Sequence, residues 1–488
     1  MKSIEMPPFA PVLMESTRAI GYNLESAIAD IIDNSIAAGS KNVDIAFFPI
    51  DGAFISILDN GQGMDSEALN SAMQYGSKHP TDVRDAKDLG RFGLGLKTAS
   101  LSQCKCLTVI SKQGHQLEGR RWDLDYVAET GSWSLIVLDD EEIAEIPQSD
   151  ALMAHESGTL VVWQKLDRLE AGEVNFAQAM GRKIDAVRDH LALVFHRYLN
   201  GEKGITKIKL SINGERVTAI DPFLEGKSVQ PMDDEVLVVH GQKIIIRPYI
   251  LPHISKMTPE EIKALGGKDG LRKQQGFYVY RNKRLLVWGT WFRMMRQGDL
   301  SKLARVRVDL PNTLDDLWTL DIKKSSAIPP AEVRNNLAII IDHIAERSKR
   351  TWTFRGKKET DDKMIHLWNR MKNPHGGFYY EINREHPMVQ RIASISPDNK
   401  SMLDALLKQI ETGIPLNQLY VDLNNDEQLT NDQNQSDKDI ITALKNMFTL
   451  QMTIAEKLDF ISTIEGIEPF SQHPEAIAKL KKEVTTVE

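Results

Sequence analysis

The sequence predicts an α+β chain of several domains, and three observations carry that expectation. An amphipathic helix over residues 24–37 leads into strands near 42–48 and 53–59, joined by Asp51-Gly52, and further strands follow at 106–111, 116–123, 133–138 and 159–164 before a helix near 174–199. A second strand series, 207–212, 235–240, 243–249, 276–280, 284–287 and 305–310, is interrupted by a helix start at Thr258-Pro259-Glu260-Glu261, a capping box with Pro at the first helical position. From residue 331 onward helical periodicity dominates.

A chain of 488 residues has room for roughly two to four domains, each with its own core. The divisions expected are an extended arm with three prolines over 1–20, a first domain over 21–200, a second over 201–330 and a mostly helical region over 331–488. In that last region a helix is expected near 331–350, a strand and a helix start over 378–390, a helix over 401–412, an Asn/Gln-rich linker over 422–439, and helices near 438–465 and 473–486.

The apolar share of 41% and charged share of 26% are those of an ordinary globular protein. No apolar run is long enough to cross a membrane, and the first residues hold no apolar core of signal-peptide length, so a cytoplasmic protein without membrane contact is expected. The two cysteines, Cys104 and Cys106, are too close for an ordinary disulfide and have no partners for a zinc site, so they read as strand residues in a reducing compartment. A net charge of −8 argues against wholesale nonspecific nucleic-acid binding but leaves room for a local basic patch. Residues 344–358, where Lys and Arg interleave with Trp352 and Phe354, suit a nucleic-acid backbone, and equally a solvated helix end.

Helix 24–37 is justified by Leu24, Ala27, Ile28, Ile31, Ile32 and Ile36 at helical spacing, with Asn23 as N-cap and Gly39 as stop signal. On another face Asp30 and Asn34 are one turn apart, hence neighbours. A carboxylate there can orient a water, and an amide oxygen can hold Mg²⁺, which takes oxygen ligands and keeps several waters. Alone, this face reads first as an ordinary solvated one.

The strand Phe54 to Leu58 ends at Asp59, followed by Gly61, Gly63 and Met64. The glycines permit a tight turn and close approach of a flat ligand to the backbone. A carboxylate at that point can accept a hydrogen bond from an exocyclic amine such as adenine's. Alone, Asp-Asn-Gly is also common turn chemistry.

A loop over 76–94 is long for a compact domain, which favours a functional lid. Its end, Gly90-Arg91-Phe92-Gly93-Leu94-Gly95, runs into helix-forming Leu96, Lys97, Thr98 and Ala99. Glycine-rich backbone amides bind phosphate oxygens, and Lys97 is placed to add a charge-assisted contact. Leu96 separates Gly95 from Lys97, so this is not a P-loop.

In this order the three segments resemble the N box, the Asp-x-Gly-x-Gly box and the lid of the GHKL ATPases: gyrase B, the ninety-kilodalton heat-shock chaperone, histidine kinases and MutL. The Arg18 to Tyr22 opening is nearest to MORC-like and MutL-like bacterial members. The resemblance implies a Bergerat-type α/β sandwich over 21–200, with ATP and Mg²⁺ as cofactors. It implies Asp30 as general base, Asn34 as Mg²⁺ ligand, Asp59 as adenine contact, and Gly90 to Thr98 around the phosphates. Aspartate departs from the family's usual glutamate and is one methylene shorter, which implies a closer helix or slow turnover. Thr159, after Ser157-Gly158, is a further adenine candidate or simply a strand opener.

The stretch 276–289 resembles the second hairpin of an S5-like α+β transducer. The resemblance further implies a lysine near 318–330 reaching the γ-phosphate, with Lys323 and Lys324 as candidates and Lys324 preferred. The implied function is an ATP-gated homodimeric clamp closing through its ATP domain on DNA, in repair or antiviral (anti-phage) defence, with nuclease or helicase partner subunits. A chaperone-like ATPase acting on protein and a slow nucleotide switch activating a nuclease are the alternatives. A histidine kinase lacks an acceptor helix upstream of residue 24 here.

Overall fold

The computed structural model describes residues 6, 8–19, 21–50, 52–76, 95–228, 233–267, 269–298, 301–314, 318–320, 327–331, 333–341, 366–372, 378–394, 397–415, 437–446, 448, 452–465, 470 and 473–485. Gly90 to Leu94, Lys323, Lys324 and the basic stretch 344–358 lie outside them, as does most of the 422–439 linker. The chain divides into two units, Met1–Thr353 and Phe354–Glu488.

Residues 10–18 of the expected extended arm are a helix. α1 (Ala10–Arg18) places Ala10, Met14 and Arg18 on one buried stripe, and Pro11 sits in the first turn, where a missing N–H costs nothing. α2 (Leu24–Ala37) starts where the Asn23 side chain accepts from Ser26 N–H at 2.8 Å. It ends at Gly39, whose φ of 76° is open to glycine.

The first sheet holds β1 (Asn42–Phe48), β2 (Phe54–Asp59), β3 (Cys106–Gln113), β4 (Gln116–Asp123), β5 (Ile136–Leu138), β6 (Ser157–Gln164), β7 (Lys209–Ile212) and β8 (Glu215–Arg216). Their spatial order is β5-β4-β3-β6-β2-β1-β7-β8. α3 (Ser66–Met73) follows β2, and α4 (Gly95–Leu101) precedes β3. Cys104 falls just before β3 rather than inside it; both cysteines are buried and free.

Two sequence expectations are corrected. The strand expected to open the second domain is β7, which pairs in parallel with β1 and extends the first sheet. Leu210 and Ile212 are buried in the same core as Val43 and Ile45, so apolar pairing across β1 decides its place. The sheet is also covered on more than one face. α2, α4 and α9 (Phe176–Val194) share a core with Ile57, Val109, Val161 and Trp163. On the alternate strand positions, Leu58, Ile110, Leu160 and Val162 pack with Ile143 of α6 (Asp140–Ala144) and Leu152 of α7 (Ser149–Met153). A strand buried on both sides reads as a continuous apolar run, as Leu160 to Trp163 does.

The second sheet, in the same unit, contains β9 (Glu235–Val239), β10 (Gln242–Ile250), β11 (Gly276–Arg281), β12 (Arg284–Thr290) and β13 (Ala304–Leu310), in the order β12-β11-β13-β10-β9. The β11–β12 turn is Asn282-Lys283, with φ of 47° and 68°, the two left-handed residues of a tight hairpin. Val333, Leu337, Ile340 and Ile341 cover one face of this sheet. Phe223, Tyr249, Tyr278, Tyr280 and Leu285 form the other core, against which Leu193 of α9 packs. His196 and Tyr280 share a hydrogen bond of 2.7 Å there.

In the second unit, β16 (Trp368–Lys372) and β17 (Phe378–Ile382) form a two-stranded sheet. Helices Pro387–Ala393, Pro397–Thr412, Asp437–Asn446, Ile454–Ile464 and Pro474–Thr485 account for the rest of its regular structure among the described residues.

Candidate functional site

The site is built along α2, whose apolar stripe turns a polar face toward the ends of β2 and α4. Asp30 and Asp33 are buried there, and Asn34 is exposed. The Asp30 carboxylate is held on two sides. Tyr22 Oη donates to its Oδ2 at 3.0 Å, and Arg284 Nη2 stands 3.8 Å from its Oδ1. α4 arrives at the same point: a side chain added to Gly95 would come within 3.8 Å of Asp30 Oδ2.

One turn beyond Asp30, Ser35 marks the other end of the site. Its Oγ donates to Asp59 Oδ2 at 2.8 Å, and Gly61 N–H donates to Oδ1 at 2.8 Å. Asp59 is 6% exposed, and burial pushes its carboxyl above the usual range, against the pull of these donors. Beside it, the Thr159 and Ser111 hydroxyls are 3.0 Å apart, and Met64 N–H donates to Ser111 Oγ at 2.9 Å. Asp59, Gly61, Met64 and Thr159 thus meet at the β2–β3–β6 strand ends.

The glycines of this segment are required by close packing within the chain itself. Gly63 has φ of 71°, and a Cβ on it would lie 2.0 Å from the Lys112 carbonyl oxygen. A Cβ on Gly61 would strike Ala38 at 2.9 Å. Gly158, not singled out from the sequence, is equally constrained, since a Cβ there would sit 2.2 Å from the Asp59 carbonyl oxygen.

Lys97 has partners within the chain. It is 1% exposed, and its Nζ donates to the carbonyls of Ala72 and Gln74 at 2.8 Å each. It therefore closes the C-terminus of α3, where carbonyls lack helical partners. Burial lowers its pKa to about 8. Thr98 is buried beside it, while Leu96 packs against the first core. Arg18 does the same service for α4, donating from Nε to Leu101 O at 2.7 Å while pairing with Asp167 at 2.6 Å.

A metal fits this donor set only in a particular way. Among the described residues no group of three His, Cys, Asp or Glu side chains is arranged to hold an ion. The exposed amide of Asn34 offers an oxygen of the kind that suits Mg²⁺, which binds through few protein ligands and retains water.

Sequence reasoning missed Tyr22, Ser35, Ser111 and Arg284. The first three carried signals, being polar residues at buried positions within or beside the motifs. Arg284 carried none, because it lies 251 positions from its partner Asp33.

Residues 22–159 match the family model described as histidine kinase-, DNA gyrase B-, and HSP90-like ATPase. The DNA mismatch repair protein MutL of Shewanella woodyi is 34% identical over 98 residues, which is 19% of this chain and 16% of that protein. MutL of Shewanella sediminis is likewise 34% identical over 98 residues, 15% of its length. A solved structure, the N-terminal domain of a DNA repair protein, covers 70% of this chain and 97% of its own, at 18% identity and a TM-score of 0.40. No described helix is long and apolar enough to cross a membrane. Residues 22–159 therefore form a domain of the histidine kinase-, DNA gyrase B- and HSP90-like ATPase family.

Proposed function

We propose that the chain binds and hydrolyses Mg-ATP, and that nucleotide closes it as a homodimeric clamp on DNA. The observation that carries the reading is the arrangement on α2. A buried, doubly held Asp30 lies near one end, an exposed Asn34 one turn on, and Ser35 turns to the Asp59 carboxylate. The two carboxylates thus serve the two ends of one nucleotide.

In this reading Asp59 accepts from the adenine amine, with Gly61, Met64 and Thr159 around it. The lid residues Gly90 to Gly95 surround the phosphates, and Lys323 or Lys324 reaches them from the stretch that follows the second sheet in sequence, read here with that sheet as the transducer. Asp30 takes a proton from water as the water oxygen bonds to the γ-phosphorus. The bond from that phosphorus to the β–γ bridging oxygen breaks, its electron pair leaves on ADP, and the products are ADP and inorganic phosphate. Asn34 would hold Mg²⁺, whose charge, when bound, offsets that of the phosphate oxygens.

The MutL likeness supports DNA as client and repair as setting; anti-phage defence with a nuclease or helicase partner, and a cytoplasmic place of action, belong to the same proposal. A second reading, a slow nucleotide switch, is favoured by Asp30 itself, whose shorter side chain is already engaged by Tyr22. Phosphate release from Mg-ATP, with and without duplex DNA, separates the two. DNA-stimulated turnover supports the clamp, while ATP binding without turnover supports the switch. A protein that stays monomeric with a non-hydrolysable ATP analogue at every concentration rules out the clamp.

A further inference from the structure

We infer that Arg284 is a positioning residue for Asp30: the second sheet reaches into the polar face of α2 through this side chain and fixes the aim of the carboxylate. The inference rests on the reading of Asp30 as the base.

Arg284 opens β12, directly after the Asn282-Lys283 turn, so its place is set by a tight hairpin. It is 5% exposed, and each nitrogen of its guanidinium has a separate neighbour. Nε lies 3.2 Å from the Asp33 carboxylate, Nη1 donates to Leu285 O at 3.0 Å, and Nη2 stands 3.8 Å from Asp30 Oδ1. The Phe195 ring lies beneath the group, 5.7 Å from Cζ. The planar fork is thus immobilised by Asp33 and its own strand, with one edge turned to Asp30.

The distances divide the work between the two aspartates. Asp33 is at hydrogen-bond length and anchors the arginine. Asp30 is beyond it, so the arginine acts on it through charge. Tyr22 restrains the other oxygen at 3.0 Å. A short aspartate cannot adapt its reach as a glutamate can, so restraint on both oxygens sets the direction of proton transfer, where geometry comes before pKa. His190, in the same pocket, is pushed down to about 3, first by burial and then by the Arg284 charge, so it adds no positive charge.

The test compares Asp30→Ala, Arg284→Gln and Arg284→Lys with the unaltered chain, measuring kcat and, separately, the Kd for ATP. For Arg284→Gln the expected result is a kcat lower on the order of tenfold with an ATP Kd within about twofold, since misaim costs turnover rather than binding. Arg284→Lys should recover at least about threefold of that loss, because it restores charge without the fork. A kcat within about twofold of the unaltered chain, a Kd that weakens in step with kcat, or a lysine no better than the glutamine overturns the inference. Removing one member of a buried pair can unfold a protein. The variant Asp33→Asn/Arg284→Gln, which removes both members of the Asp33–Arg284 ion pair, is therefore held to the same thresholds as Arg284→Gln. If Asp30→Ala turns over like the unaltered chain, the base reading fails and this inference fails with it. An inactive Asp30→Ala beside an unaffected Arg284→Gln removes the positioning role alone.

Discussion

The two ends of the proposed nucleotide site are constructed on different principles. At Asp59 the hydrogen-bond partners are local to the first sheet: Ser35 from the helix above, Gly61 from the next turn, and the Thr159 backbone from the neighbouring strand. At Asp30 the restraint comes from Tyr22 on one side and, on the other, from a hairpin of a separate sheet. The Asp59 end is complete once the first sheet has folded. The Asp30 end is complete only when the second sheet has docked, so its chemistry can respond to whatever moves that sheet.

The sharpest way to break this contrast is Asp30→Ala. Turnover should fall about 10²- to 10⁴-fold, the usual reach of general-base catalysis, while ATP still binds. Phosphate release and calorimetric titration on the same sample check both halves, and a retained kcat would dissolve the distinction between the ends.

Asp59→Ala should do the opposite. Loss of the adenine acceptor costs about 1–3 kcal/mol, or roughly 10- to 100-fold in Kd, with kcat at saturation little changed. Titration with ATP against GTP would sharpen the point, since the discrimination should shrink with the affinity.

Lys97→Met separates a structural from a ligand role. The lysine caps α3 through two carbonyls, so the variant should lose about 1–3 kcal/mol of stability in a urea melt, with an ATP Kd within about twofold. A large loss of affinity would instead mean that the side chain leaves α3 when nucleotide arrives.

The smallest effect is a pH dependence at Asp59. Its carboxyl in the fold is raised above the ordinary 3.8 by burial, so the folded state holds this proton over a range where the unfolded chain has lost it. The contribution is fully present below the unfolded value and is lost as pH rises through the raised folded value. Asp59→Asn should flatten the fall in melting temperature across that window, measured as the difference between the two proteins.

The legible parts of the molecule are those whose causes lie close in sequence. The α2 stripe with its Asn23 cap, the Thr258 capping box and the Asn282-Lys283 turn are local signals, and each element is where its signal put it. What could not be read depended on partners fixed only by folding. β7 joins the first sheet because β1 offers a parallel edge, and no local feature of Lys209 to Ile212 says so. The role of Lys97 depends on where α3 ends in space. α1 was obscured by its prolines, although Ala10, Met14 and Arg18 hold the helical spacing. Within the site, Asp30, Asn34 and Asp59 carried the family pattern, but the groups that orient Asp30 did not.

The C-terminus of α3 has an optical consequence. Trp122 Nε1 donates to Met73 O at 2.9 Å, one residue from the carbonyl that Lys97 holds. Trp122 and Trp133 meet edge to face at 6.3 Å, and Tyr75 lies 5.3 Å from Trp133 and 6.1 Å from Trp122. Emission from a buried indole shifts with the polarity and hydrogen bonding around its ring, and neighbouring rings quench and exchange excitation. The chain therefore carries its own fluorophore pair at the point where α3 gives way to the segment leading to Gly90. Nucleotide that rearranges this corner should register as a change in tryptophan emission and near-ultraviolet dichroism, with no label attached.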